Sequence, residues 1–162
     1  MQLLLIRHAD AGDRDPTLWP DDNLRPITEK GRRRHRRVAR RLKRRGLVPT
    51  VLLASPLMRA WQTAQLVAEY AGGASPLAAP ALAAPPDLPA LQAAIGRPGL
   101  DAIVALVGHE PWLGELASLL LTGDRGRLAI DFPKSGVLGL SLEAVAPGAG
   151  RLGFFWRPKG SG

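Results

Sequence analysis

Two histidines and two arginines in this 162-residue chain sit just beyond short apolar runs, and their chemistry suits phosphate. Arg7 and His8 follow Leu3-Leu4-Leu5-Ile6, while Ser55 follows Val51–Ala54 with Arg59 one helical turn later. Gly108-His109-Glu110 follows a third apolar run and leads into Pro111, a residue suited to opening a helix. An arginine guanidinium is a planar fork that holds phosphate oxygens two at a time and stays charged at any working pH. A helix start offers unpaired N–H groups and its positive dipole end to an anion. A histidine of ordinary pKa, about 6.5, can attack as a neutral base, and flanking guanidiniums favour that neutral form. Covalent capture on histidine divides one difficult displacement into two easier ones. The chemistry these residues support is phosphoryl transfer. Asp10 and Glu110 lie beside them, where a carboxylate could orient a histidine or meet substrate; a solvated loop carboxylate is the plainer alternative. No carboxylate cluster resembles a magnesium site, so no metal and no cofactor is expected, and the arginines with His109 would neutralise the charge.

Such residues need a scaffold that brings three strand ends together. The expected elements are a strand at Leu3–Ile6, a helix from about Gly31 to Arg45 with Thr28 as N-cap and Gly46 beyond its end, and a strand at Val51–Ala54. A helix from Ser55-Pro56 to about Tyr70 follows, then a short strand around Leu77–Leu82 within an Ala/Pro/Gly-rich connection. A helix near Leu88–Ile95, a strand Ala102–Val107, a helix from Pro111 to Leu121 and a hairpin of Gly136–Leu142 with Leu152–Trp156 complete the series. Alternating strands and helices predict a single domain over 1–162. It is a three-layer α/β/α fold with a mostly parallel sheet and an antiparallel C-terminal edge. Ligands of such sheets lie beyond the carboxyl ends of the strands, where Arg7, His8, Arg59 and His109 fall.

The net charge of +8 is local in origin. Arg32 to Arg45 holds nine arginines and one lysine, and the remainder balances 12 basic against 14 acidic residues. On a helix, Val38, Ala39 and Leu42 form a narrow apolar stripe, with Ile27 as a hydrophobic staple. The other positions read as a solvated cationic face, as a docking surface for an acidic partner such as a phosphotransfer domain or phosphocarrier, or as a polyanion site. Aromatics do not interleave the run, so nucleic acid is not the expected partner. Five aspartates crowd the early stretch, at 10, 13, 15, 21 and 22. The absence of cysteine removes disulfides, cysteine-bound zinc, iron–sulfur clusters and a thiol nucleophile. The apolar opening is too short for a signal peptide or a membrane span. A monomeric cytoplasmic protein that engages no membrane is expected.

The motifs also carry a family resemblance. Arg7-His8-Ala9-Asp10 resembles the RHG/RHA signature of the histidine phosphatase superfamily, which includes phosphoglycerate mutases and many phosphatases. Arg25-Pro26-Ile27-Thr28 through Gly31 is similar to its R-P-L-T-x-x-G, and Ser55-Pro56-Leu57-Met58-Arg59-Ala60-Trp61-Gln62-Thr63 to S-P-x-x-R-A-x-Q-T. Val107-Gly108-His109-Glu110-Pro111 completes the set, in the right order. The short chain most resembles the SixA-type phosphohistidine phosphatases. The resemblance implies a phosphoglycerate mutase-like fold, with His8 as nucleophile, Arg7 and Arg59 on the phosphoryl oxygens and His109 donating to one of them. Ser55 and Thr63 are expected to serve turn and packing. Larger members carry a glutamate acid in a P-E-L triplet, where this chain has Pro80-Ala81-Leu82; Asp87 is the candidate stand-in. An alkoxide leaving group needs such an acid, whereas a phosphohistidine brings its own proton. The implied substrate is therefore phosphohistidine on a partner protein. A broad small-molecule phosphomonoesterase and a non-catalytic polyanion-binding module are the alternatives.

Overall fold

Four successive apolar residues are all buried on a strand covered on both faces, and that is where Leu3–Ile6 lies. The computed structural model describes residues 1–158. The strands are β1 (Gln2–Arg7), β2 (Val51–Ala54), β3 (Leu77–Ala78), β4 (Ile103–Gly108), β5 (Val137–Ser141) and β6 (Arg151–Trp156). The helices are α1 (Glu29–Arg44), α2 (Met58–Ala71), α3 (Leu88–Ile95) and α4 (Trp112–Thr122). All six strands join one sheet in the order β3-β2-β4-β1-β5-β6. Strands β1, β2, β3 and β4 run parallel, and β5 and β6 continue antiparallel beyond β1. This is the expected α/β architecture.

Leu4 and Ile6 pack with Val38, Ala39 and Leu42 of α1 and with Ala60, Ala64 and Val67 of α2. Leu3 and Leu5 face the other way, toward Leu91 of α3 and Leu116 and Leu120 of α4. Helix α1 begins at Glu29, two residues before the expected Gly31, directly after its expected N-cap, since the Thr28 hydroxyl accepts from the Gly31 amide at 2.9 Å. Gly31 is needed there: a Cβ would meet the Asp10 carbonyl oxygen at 2.2 Å, so glycine lets α1 press against the segment after β1. Gly46 follows the helix with φ +70, the left-handed conformation that glycine adopts freely.

Four expectations need correction. Helix α2 starts at Met58 rather than at Ser55-Pro56, because Ser55 still belongs to the β2 strand end, its amide bonded to the Val107 carbonyl. The strand expected over Leu77–Leu82 keeps only Leu77–Ala78 and passes into a 3-10 turn at Pro80–Ala83, since Pro80 has no N–H for a ladder. Ile27 is not a staple on α1; it packs with Ala9 and with Leu66 of α2. Pro111 occupies the N-cap of α4, one place earlier than expected. Among the described residues no helix is long and apolar enough to cross a membrane.

Candidate active site

The sheet register assembles the site. Arg7 lies opposite Gly108 in the parallel β1–β4 pair, so His8 and His109 are the next residues out on adjacent strands. Their ring centroids are 5.1 Å apart. Ala54 lies opposite Val107 on the other side of β4, which brings Ser55 to the same level. Arg59 reaches the site from the first turn of α2. All four sequence-predicted residues, Arg7, His8, Arg59 and His109, therefore converge at the carboxyl edge of the sheet, and His8, Arg59 and His109 are buried.

The His8 ring is fixed by its own backbone. Its Nδ1 lies 2.7 Å from the Ala9 carbonyl oxygen, which can only accept, so Nδ1 carries the hydrogen and Nε2 holds the lone pair. The Ala9 amide donates to the Thr63 hydroxyl at 2.9 Å, and that hydroxyl donates to the Arg59 carbonyl at 2.6 Å. Thr63 is thus the strut expected of it, joining the His8 segment to the turn that carries Arg59. Ser55 does more than shape its turn: its Oγ is hydrogen-bonded to His109 Nε2 at 2.8 Å. Nδ1 of His109 and Nε of Arg7 are buried without hydrogen-bond partners among the described residues.

Two residues of the 21–28 segment, Asp22 and Arg25, also reach the site. The Arg59 Nη1 donates to the Asp22 carbonyl at 2.9 Å and lies 3.3 Å from its Oδ2. Arg25 pairs with the same carboxylate, Nε to Oδ1 at 2.8 Å, and donates to the Ala11 and Gly12 carbonyls. Arg25 was visible within its motif, but nothing in the sequence distinguished Asp22 from the other four aspartates.

The remaining candidates are held by local partners. Glu110 is partly buried and is bonded to backbone amides rather than to a histidine. It accepts from the amides of Phe132, at 2.7 Å, and Gly114, at 3.3 Å, and the Phe132 carbonyl in turn receives the Arg7 guanidinium. Burial pushes its carboxyl upward, although those amides oppose the shift. Asp10 is bonded to Lys134 and to the Thr28 hydroxyl rather than to either histidine. Asp87, the candidate stand-in acid, caps α3, accepting from the Ala90 amide at 3.0 Å. Ala81, Leu82, Trp112 and Leu113 line an apolar recess beside His109, which places the alanine of the altered triplet next to the site. Trp112 meets the His109 ring edge-on at 6.3 Å, whereas Trp61 packs against the α1–α2 core.

A third histidine, one that the sequence does not mark as functional, lies within the basic run. His35 of α1 is fully buried, with Nδ1 3.1 Å from the Ser135 Oγ, and the Ser135 amide donates to the His8 carbonyl at 3.1 Å. Burial lowers His8 to about 3 and His35 and His109 to about 4, and the arginines add to the effect at His8 and His109. Unfolded histidines take up protons near 6.5, so the unfolded chain binds more protons than the native one between about 6.5 and 4. The stability from neutral burial is complete above that window and is lost as pH falls through it, by up to about 1.4 kcal/mol per pH unit for each histidine. Urea midpoints at pH 7 and pH 5 should therefore fall steeply, and His35→Gln should remove close to a third of that slope. A midpoint independent of pH would show that the buried rings are not held neutral.

Comparison with known proteins gives the same reading. Residues 3–83 match the family described as the histidine phosphatase superfamily, branch 1. An uncharacterized protein of Picosynechococcus is 39% identical over 147 residues, covering 90% of this chain and 87% of that one. The structure of a protein histidine phosphatase SixA complexed with tungstate superposes with a TM-score of 0.78 at 24% identity, covering 98% of this chain and 97% of that one. A mycobacterial glucosyl-3-phosphoglycerate phosphatase shares the fold at TM-score 0.70 and 17% identity, covering 98% of this chain and 99% of that one. With histidines and arginines meeting at the strand ends and half of its length matching the family, the chain belongs to the histidine phosphatase superfamily, as a phosphatase with the SixA fold.

Proposed function

We propose that this phosphatase removes the phosphoryl group from phosphohistidine on a partner protein, through a covalent intermediate on His8. The observation that carries the proposal is the tautomer of His8: with Nδ1–H held by the Ala9 carbonyl, Nε2 is a neutral nucleophile at any pH well above about 3. Arg7 and Arg59 would hold the phosphoryl oxygens, and His109, backed by Ser55, would donate to one of them as charge shifts in the transition state. Asp10 and Glu110 act as struts around this group. The preference for a P–N bond rests on Ala81, on Asp87 being a helix cap and on Glu110 being committed to backbone amides. An imidazole leaves without an external proton, and a sugar alkoxide does not. The shared fold with a small-molecule phosphatase supports a broad phosphomonoesterase as the second reading.

Turnover of a phosphohistidine-bearing phosphocarrier or phosphotransfer domain, set against an aryl phosphate and a sugar phosphate, separates the two. The first reading expects kcat/KM highest on the phosphoprotein and lowest on the sugar phosphate; a preference for the sugar phosphate would overturn it.

The basic helix is the proposed docking face for the acidic partner, but the residues that test it must be chosen with care. Arg36 and Arg40 lie over the Tyr70 ring at 5.6 and 5.0 Å, and Arg41 lies over Trp156 at 4.1 Å. These three contribute to packing. Arg33, Arg37 and Arg44 are exposed on α1. Their replacement by glutamate should lower kcat/KM on the phosphoprotein tenfold or more, about 1.4 kcal/mol, relative to the aryl phosphate. Added salt should narrow the difference, because exposed charges are screened over roughly 8 Å at physiological salt. Equal effects on both substrates would remove the docking role.

A further inference from the structure

An arginine-lined pocket suits a phosphoryl group and opposes a cation. Arg7 and Arg59 both push His8 and His109 toward the neutral form, and Arg25 does the same to His109. A phosphohistidine that enters this pocket as its imidazolium meets the same field, yet the imidazolium is the form from which the ring leaves as a neutral molecule. A carboxylate near the departing ring would offset that field.

Asp22 is placed to do so. Its carboxylate lies 3.3 Å from the Arg59 guanidinium, which contacts the phosphoryl oxygens in the proposed mechanism, and 2.8 Å from Arg25 Nε. Its side chain is one-quarter exposed, so it is open to a group arriving at the mouth. The hydrogen bond from Arg25 is the chief reason that its carboxyl titrates below the usual range; burial opposes it, and the charges of Arg25, Arg59 and Arg14 add to the lowering. It is therefore ionised at neutral pH, an acceptor that cannot serve as the missing acid. Its charge already acts on His109 in the direction that a substrate imidazolium requires.

We propose that Asp22 is a specificity-determining residue that selects leaving groups carrying a protonated imidazole, by accepting from the ring N–H that faces away from phosphorus. This rests on the P–N reading above. The His8 Nε2 lone pair forms the new bond to phosphorus while the P–N bond of the substrate breaks, its electron pair returning to the departing nitrogen. The hydrogen at the distal ring nitrogen stays in place, so the ring leaves neutral and no other proton moves. Asp22 would stabilise the charged reactant ring that the arginines disfavour.

Asp22→Asn tests this with N-phosphoimidazole and p-nitrophenyl phosphate as probes, because asparagine keeps the side-chain shape and loses the charge. The ratio of kcat/KM values, phosphoimidazole over aryl ester, should fall tenfold or more. The alkaline limb of the kcat profile for phosphoimidazole should move to lower pH, since the carboxylate no longer raises the pKa of the bound ring. Asp22→Glu should restore both. Parallel losses on the two probes would mean that Asp22 only holds Arg59 in place, and an unchanged ratio with an unmoved limb would equally overturn the proposal. The wild-type enzyme tests the underlying reading separately: if it shows no preference for phosphoimidazole over the aryl ester, the P–N reading fails; if it shows one that Asp22→Asn preserves, only the role of Asp22 fails.

Discussion

His8→Ala should abolish turnover of every phosphoryl substrate and, with it, the radiolabelled phosphoenzyme that rapid acid-free quenching traps from the wild type. The loss should be complete in practice, because His8 is the site histidine whose Nδ1–H is fixed by a backbone carbonyl, leaving the Nε2 lone pair free to attack. The variant should still fold. His8 is one buried side chain at a strand end, and the surrounding hydrogen bonds run through backbone: its amide to the Gly108 carbonyl and its carbonyl to the Ser135 amide. Removing the ring even relieves a buried titratable group, so the unfolding midpoint at pH 5 should rise relative to the wild type. A variant that turns over aryl phosphate at a rate near wild type, or still yields a labelled protein, would mean that the nucleophile lies elsewhere.

The second large effect is expected at Arg59. Arg59→Ala should lower kcat by two to three orders of magnitude, about 3–4 kcal/mol, the range found when one preorganised donor to a developing negative charge is removed. Two features place it in that range rather than near a surface arginine, whose loss costs little. It is buried, so its charge acts in a medium that screens poorly, and its position is fixed at both ends, by Thr63 at its carbonyl and Asp22 at its guanidinium. Arg59→Lys should recover only part of the loss, since an ammonium cannot reproduce the planar fork. Single-turnover kinetics locate the effect in the phosphorylation of His8. A loss smaller than threefold in Arg59→Ala would remove Arg59 from the phosphoryl pocket.

The elements that follow from local rules were legible in the sequence: β2 and α3 occupy their expected residues, and Thr28 caps α1 through its hydroxyl. The parallel order was legible because helices separate the strands. What escaped depends on contacts between distant segments. Ser55 reads as a turn residue until β4 is known to lie between β1 and β2, which brings it to His109 across 54 positions. Asp22 is one of five crowded aspartates until the loop folds back on Arg59, 37 residues away. His35 is hidden among arginines, and only the helix phase that buries Val38 and Leu42 turns it inward as well. The sequence also lacked aromatics within the basic run, yet the fold supplies Tyr70 from α2 and Trp156 from β6, so part of that charge is spent on internal contacts.

The hydrogen bond from His8 Nδ1 to the Ala9 carbonyl has a consequence for the energetics of transfer. Once phosphorylated at Nε2 with its Nδ1–H retained, His8 becomes the same chemical species as the protonated phosphohistidine that donated to it. On the proposed chemistry, phosphorus passes between like nitrogens with the same proton count on either side. That exchange is close to thermoneutral, and the group-transfer potential of the substrate survives in the intermediate. It is dissipated only when water attacks. What makes such a protein a hydrolase rather than a phosphorelay is therefore the admission of one water molecule behind the departing partner, and a site that excluded it would pass the phosphoryl group onward with little loss.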